Sequence, residues 1–262
     1  MGIVNLSADS FSGDGLPEVD AALEKALGFI AAGAKIIDIG AESARAGRVA
    51  MSEADEAERL CEFVKRWREH FPSPNSPLLS INTWRPGVAR DVLRVGGDIL
   101  NDIGALATDE NAHTCAETGA ALLIMHSVGI PKVAHTHVEY DDVLARIEEF
   151  FAEKIALAQA AGVAREAIIL DPGIDFAKQR DDNLRIFREL DRLRKFERPI
   201  LLPVSRKTVI GDVLGIANAA ERDAGTIACI VQGILRGANI LRVHNVRAAV
   251  QAVRIVEAIT AA

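Results

Sequence analysis

Three cysteines among 262 residues are too few and too far apart for a disulfide framework. Cys61, Cys115 and Cys229 are odd in number and form no Cys-x-x-Cys pair. They read as reduced, buried thiols and are assigned no chemistry. No window approaches the roughly 18 consecutive apolar residues of a transmembrane helix. The opening Met1-Gly2-Ile3-Val4-Asn5-Leu6 runs straight on to Asp9 and Asp14, without the basic start and longer apolar stretch of a signal peptide. A cytoplasmic chain is therefore expected. Positive charge is not in excess: 30 Lys and Arg face 37 Asp and Glu, a net −7 that argues against a nucleic-acid or membrane-surface partner. Anionic small ligands stay open, because local basic residues can line a site in a net acidic chain. Linkers, low-complexity segments and composition breaks are also missing, so residues 1–262 are expected to form a single domain.

What is present is a repeat. Short apolar runs that read as strands fall at Ile3–Leu6, Lys35–Ile39, Leu78–Asn82, Ile99–Asp102, Ala121–Met125, Ile168–Leu170, Ile200–Val204 and Ile240–Val243. Helical periods fill the intervals at Pro17–Ala32, Ser52–Phe71, Pro86–Val95, Asp109–Thr118, Tyr140–Ala161, Asp181–Lys195, Ala220–Arg236 and Val246–Thr260. Each unit is about 33 residues, the size of a strand, a helix and their connections. Glycines such as Gly33, Gly119, Gly162 and Gly237 precede strands, where they end a helix in a left-handed conformation. Eight such units predict an α/β fold of one class, a single (β/α)8 TIM barrel. A doubly wound sheet would usually carry a Gly-x-Gly-x-x-Gly after its first strand, and none occurs here.

A barrel gathers its chemistry at the C-terminal ends of its strands. Here the ends carry Asn5, Asp38, Asn82, Asn101-Asp102, His126, Asp171, Ser205-Arg206-Lys207 and Arg242-Val243-His244-Asn245. Arginine, lysine and histidine on strands 7 and 8 fall where such barrels often hold a phosphate. Asn101 and Asp171 offer an amide and a carboxylate, a pair suited to the N–H edge of a planar heterocycle. Asn5 is an oxygen donor of the kind Mg²⁺ shares with phosphates. Arg242 could also stack its flat guanidinium on an aromatic ring.

The runs Met1–Ser12, Ile36-Ile37-Asp38-Ile39-Gly40-Ala41-Glu42-Ser43-Ala44-Arg45, Ile99–Ile103, Leu170-Asp171-Pro172-Gly173-Ile174-Asp175-Phe176, Ser205-Arg206-Lys207 and Arg242-Val243-His244 resemble, in order and across the whole chain, the dihydropteroate synthase family of pterin-binding barrels. The resemblance implies a transferase that condenses (7,8-dihydropterin-6-yl)methyl diphosphate with p-aminobenzoate, giving dihydropteroate and pyrophosphate in folate biosynthesis. By that resemblance Asn82, Asn101, Asp171, Lys207 and Arg242 would bind the pterin, with Lys207, Arg242 and Asn82 acting in catalysis. Asn5, Arg45, Arg242 and His244 would hold the diphosphate with Mg²⁺, Asn5 serving as metal ligand. Ser43, Ala44, Phe176 and Ser205 would line the arylamine pocket. A homodimer through the last helices, where Ala248, Ala249, Ala252, Val253 and Val256 make an apolar surface, is also implied. The displacement has dissociative character and needs no protein nucleophile, only positioning and electrostatic preorganisation.

The chain departs from the family pattern in places. Asn82 stands where the family usually has Asp, which keeps an acceptor and removes a charge, a loss of about 1–3 kcal/mol in transition-state stabilisation. The usual Thr-Arg-Pro reads Ala44-Arg45-Ala46, and the usual N-terminal hairpin is expected to be missing. These changes gather on the arylamine side and at the charge-stabilising position, and leave the Asn101 and Asp171 pair intact. They keep open an enzyme using a different arylamine, as in methanopterin-type cofactor synthesis, and a non-folate pterin-binding paralogue or methyltransferase. His135 and His137 lack further ligands at useful spacing and read as loop. Phe150-Phe151 read as core packing or an oligomer face, Trp84 as packing, and the Arg188–Arg198 charges as an exposed helix face.

Overall fold

The computed structural model describes residues 1–7, 15–16, 18–43, 50–73, 76–133 and 138–261. Strands β1 (Gly2–Asn5), β2 (Ile36–Gly40), β3 (Leu78–Asn82), β4 (Ile99–Asp102), β5 (Ala121–Met125) and β6 (Ile168–Asp171) form one sheet, each parallel to the next in chain order. β7 (Leu201–Leu202) and β8 (Ile240–Leu241) pair in parallel with one another. Isolated parallel bridges then join Leu170 to Ile200 and Gly2 to Val243, so the eighth strand returns to the first. This is the expected (β/α)8 order.

Helices α1 (Val19–Ala31), α2 (Glu53–His70), α3 (Pro86–Val95), α4 (Glu110–Thr118), α5 (Val143–Ala160), α6 (Arg180–Arg188), α7 (Thr208–Leu214), α8 (Asp223–Leu235) and α9 (Val246–Thr260) connect the strands. Local chemistry sets their ends. Ser52 caps α2 by accepting the Asp55 N–H at 3.1 Å, and Asp142 caps α5 by accepting from Leu144 and Ala145 at 3.0 Å. Gly119 closes α4 at φ 77°. α2 buries Leu60, Phe63, Val64 and Trp67 at helical spacing, each worth about 1.5–3 kcal/mol of burial. Phe150 and Phe151 are core residues, as expected.

Some boundaries differ from the periodicity. The stretch expected as one helix over Asp181–Lys195 divides after Arg188, and a 3₁₀ turn over Leu190–Phe196 follows. The tighter turn aligns residues three apart, which sends both Leu190 and Leu193 into the core. Its charges do more than face solvent: Arg192 and Lys195 bond Glu148 of α5 at 2.9 and 2.7 Å. β7 stops at Leu202 because Pro203 has no N–H to give the ladder. The helix expected over Ala220–Arg236 begins at Asp223, behind a 3₁₀ turn at Ala219–Glu221. α7 was not anticipated; seven residues are too few to register a helical period.

The strand period explains where the site lies. Met1, Ile36, Ile99, Ala121, Leu123, Ile169, Leu201 and Ile240 share one small apolar cluster inside the barrel. Residues two apart on a strand point to the same face. Two positions beyond Ile36, Ile99, Ile169 and Ile240 come Asp38, Asn101, Asp171 and Arg242. An apolar floor thus carries a polar layer directly above it.

Candidate active site

Asp38 is the hub of that layer, with its side chain fully buried. Its Oδ1 accepts from Ser80 Oγ at 2.6 Å and Asn101 Nδ2 at 3.0 Å. Its Oδ2 accepts from Asn82 Nδ2 at 3.3 Å and Arg242 Nε at 2.7 Å. Burial alone would raise the Asp38 pKa. The Arg242 charge and the hydrogen bonds from Ser80, Asn101 and Arg242 outweigh it, and hold the carboxyl below its ordinary value. The hub therefore carries a full negative charge facing a guanidinium. Asn82 and Asn101 are register partners on β3 and β4, so their amides stand side by side. Asn101 is buried, and its Oδ1 has no hydrogen-bond partner among the described residues.

Asp171 ends β6 and is also buried. Burial, partly offset by the Gly173 N–H at 2.7 Å and by Lys207, Arg242 and Lys178, raises its pKa to about 6. It is still largely ionised at neutral pH. Lys207 donates to the Ile174 carbonyl at 2.8 Å, and its ammonium lies 4.7 Å from the centre of the Phe176 ring. Burial lowers the Lys207 pKa, against the opposing pull of Asp175 and Asp171. Ser205 and His244 meet across β7 and β8. Ser205 Oγ accepts the His244 backbone N–H at 3.1 Å and lies 2.9 Å from His244 Nδ1. The hydroxyl has a proton to give and a second lone pair, so it suits Nδ1 in either imidazole tautomer.

The loop after β6 rests on a residue that sequence reasoning missed. Lys178 is buried, and its Nζ lies 2.8 Å from His126 Nδ1, 3.0 Å from the Gly173 carbonyl and 2.9 Å from the Phe176 carbonyl. Burial lowers its pKa to about 7 and drives that of His126 far down. His126 is thus a neutral strut at the end of β5 and not a strand-end donor to ligand. Gly173 has φ 68°, and a Cβ there would meet the His126 carbonyl oxygen at 1.9 Å. Arg206, read from sequence as a cationic donor of the site, instead pairs with Asp223 at 2.8 Å. A second buried guanidinium, that of Arg222, ties the carbonyls of Arg206 and Lys207 at 3.1 and 3.2 Å. Neither role has a local sequence signal, because both depend on α8 lying against the β7 loop.

Asn5 ends β1 opposite Gly40, and Ser43 follows β2; both are half-buried. Trp84 is half-buried and packs under the Arg85 guanidinium, 5.2 Å from its ring centre. Glu42 receives Arg85 at 2.8 Å and Lys132, anchoring the start of the second loop. Arg45 and Ala44 lie outside the described residues, as do His135 and His137. The structure thus brings together Asn82, Asn101 and Arg242 about Asp38, sets Lys207 on Phe176, and sets Ser205 on His244.

The barrel with this polar layer at its strand ends falls in the class of pterin-binding enzymes: the family model for "Pterin binding enzyme" matches residues 1–244. The dihydropteroate synthase of Escherichia coli K12 is 38% identical over 260 residues, covering 98% of this chain and 90% of its own. The Yersinia pestis dihydropteroate synthase, solved with a sulfonamide drug complex, superposes with a TM-score of 0.93 at 37% identity, covering 100% of this chain and 94% of its own. That of Xanthomonas albilineans, in complex with 7,8-dihydropteroate, superposes with a TM-score of 0.86 at 33% identity, covering 100% and 93%. The chain belongs to the dihydropteroate synthase family, transferases of folate biosynthesis.

Proposed function

We propose that the chain condenses (7,8-dihydropterin-6-yl)methyl diphosphate with p-aminobenzoate, using the residues gathered around the polar layer. The observation that carries this reading is the buried Oδ1 of Asn101 at the end of β4, without a hydrogen-bond partner among the described residues, in the same strand-end layer as the buried carboxylate of Asp171 at the end of β6. Both are acceptors, and a pterin's amino and ring N–H groups are matching donors. Lys207 would serve the ring carbonyl, Asn82 would border the same edge, and Arg242 would lie beneath the ring. Burial keeps these polar contacts in low dielectric, where each is worth more than in water.

His244, Arg242, Asn5 and Arg45 would receive the diphosphate. Among the described residues no three His, Cys, Asp or Glu side chains cluster into a metal site. Mg²⁺ asks for less, since it commonly takes one or two protein oxygens and completes its shell with phosphate and water. Asn5 fits that demand, and the ion would neutralise charge on the leaving diphosphate. Ser43, Ala44, Phe176 and Ser205 would border the arylamine. As the diphosphate leaves, positive charge would grow on the pterin methylene, and the negative charge of Asp171, with that of Asp38 behind the asparagines, would stabilise it.

Residues 1–262 act as a single domain in this reading, supported by one large core cluster spanning β1 to α9. No helix among the described residues is long and apolar enough to cross a membrane, and a cytoplasmic enzyme is proposed. A homodimer through α8 and α9 is proposed as well. Ala249 and Val256, read from sequence as part of that surface, are buried within the chain; Leu235, Ile255 and Ile259 are 59, 62 and 71% exposed and would form it instead. Rescue of a bacterial strain lacking dihydropteroate synthase tests the whole reading. Growth without added thymidine and purines supports it, and no growth despite soluble expression contradicts it.

A further inference from the structure

We propose that Asp38 is a positioning residue that sets the hydrogen-bond polarity of the pterin edge, forcing Asn82 and Asn101 to present their oxygens to ligand. The inference rests on the pterin reading of the site. An Asn side chain has a donor end and an acceptor end of nearly equal shape, and its neighbours decide which way it turns. An ionised carboxylate offers only lone pairs. Whatever amide atoms face Asp38 must therefore be N–H groups, and the Nδ2 atoms of Asn82 and Asn101 lie 3.3 and 3.0 Å from it. With Nδ2 engaged, Asn101 turns Oδ1 the other way, where it is buried and has no partner among the described residues.

The carboxylate stays ionised because Arg242 Nε sits 2.7 Å away and Ser80 Oγ 2.6 Å away. One buried charge thus orients three side chains from β3, β4 and β8 without touching the ligand. The resulting edge is acceptors throughout: two amide oxygens and the Asp171 carboxylate. It selects a heterocycle with adjacent N–H donors and rejects one that places a carbonyl there, which would set lone pair against lone pair in a buried site. A neutral amide at position 38 loses this control. It can offer its own N–H to Asn101, whose side chain is then free to turn and present N–H to ligand.

The test is calorimetric titration with 6-hydroxymethyl-7,8-dihydropterin and with its counterpart carrying oxygen in place of the 2-amino group. The native chain should prefer the amino compound by about tenfold or more, and Asp38→Asn should erase most of that preference. A merely structural role would weaken both ligands equally and leave the ratio unchanged, which would overturn the proposal. Failure of the native chain to bind either compound would instead overturn the pterin reading. Should Asp38→Asn not fold, neutron diffraction on native crystals decides. Deuterons of Asn82 and Asn101 on the Asp38 side support the proposal, and deuterons turned away from it overturn it.

Discussion

Arg242 Nε lies 2.7 Å from Asp38 Oδ2, an ion pair between residues 204 positions apart that joins β8 to β2 inside the barrel. Arg242→Met would leave a fully buried carboxylate without its counter-charge. Such losses cost about 3–5 kcal/mol, and equilibrium denaturation should show a drop of that order. Arg242→Lys keeps the charge but not the planar guanidinium, and should lose less stability than Arg242→Met. The native Asp38 pKa lies below its ordinary 3.8, so its contribution is present at neutral pH. It is lost only as pH falls through the depressed native value.

Asp171 has the opposite sign. Its pKa is raised to about 6, so the folded chain without ligand holds this proton more tightly than the unfolded chain does. That contribution to stability is present in acid and declines as pH rises from 3.8 towards 6. Binding of a donor edge needs the carboxylate, so pterin affinity should fall as pH drops below about 6, approaching tenfold per pH unit. Asp171→Asn should flatten that profile and lower affinity at pH 7.5 by about 2–3 kcal/mol. Calorimetry across the pH range checks both; an unchanged acid limb in the variant would assign the proton elsewhere.

Lys178 and Gly173 hold the loop that carries Ile174 and Phe176 to Lys207. Lys178→Met would strand the Gly173 and Phe176 carbonyls and the His126 ring nitrogen, at about 1–3 kcal/mol for each buried group left unpaired. Denaturation midpoints and pterin affinity should fall together, because the loop and Lys207 are one unit. Gly173→Ala is harsher, since its φ of 68° and a 1.9 Å approach to the His126 carbonyl leave no room for a methyl group. Little native protein should be recovered. A variant of native stability would mean the backbone shifts at no cost.

Asn82 was read from sequence as a carboxylate's weaker substitute. Its Nδ2 on Asp38 gives it a second duty, and Asn82→Asp would set two buried carboxyls about as close as that 3.3 Å contact. Like charges at this spacing do not both ionise readily, so the pair would share a proton near neutral pH. Turnover should gain from the added charge only on the alkaline side, where both carboxyls are ionised. The pH–rate profile should acquire a second acid limb, above the one that Asp171 gives the native enzyme near pH 6. A uniform gain at all pH values would show that the two groups do not interact.

Most of the barrel could be read from the alternation of apolar runs and helical periods, and the candidate site from the polar residues that end the strands or follow them. Asp171, Asn101, Lys207 and Arg242 were found that way. What stayed hidden depends on contacts between distant elements. Asp38 was visible as a strand-end acid, but its role needs four partners from three other strands. The turn of Arg206 onto Asp223 is set by α8, and Lys178 reaches back 52 positions to His126. α7 is too short to leave a period, and Pro203 cut β7 short within a run that is otherwise apolar.

The central claim, that this site joins a pterin to p-aminobenzoate, is tested most directly by pyrophosphate release with product identification. Purified enzyme would be given (7,8-dihydropterin-6-yl)methyl diphosphate, Mg²⁺ and, in separate reactions, p-aminobenzoate and bulkier arylamines. The account predicts release of one pyrophosphate per dihydropteroate formed, with p-aminobenzoate giving the highest kcat/KM of the panel. Release without dihydropteroate, or a clear preference for a bulkier arylamine, would contradict it.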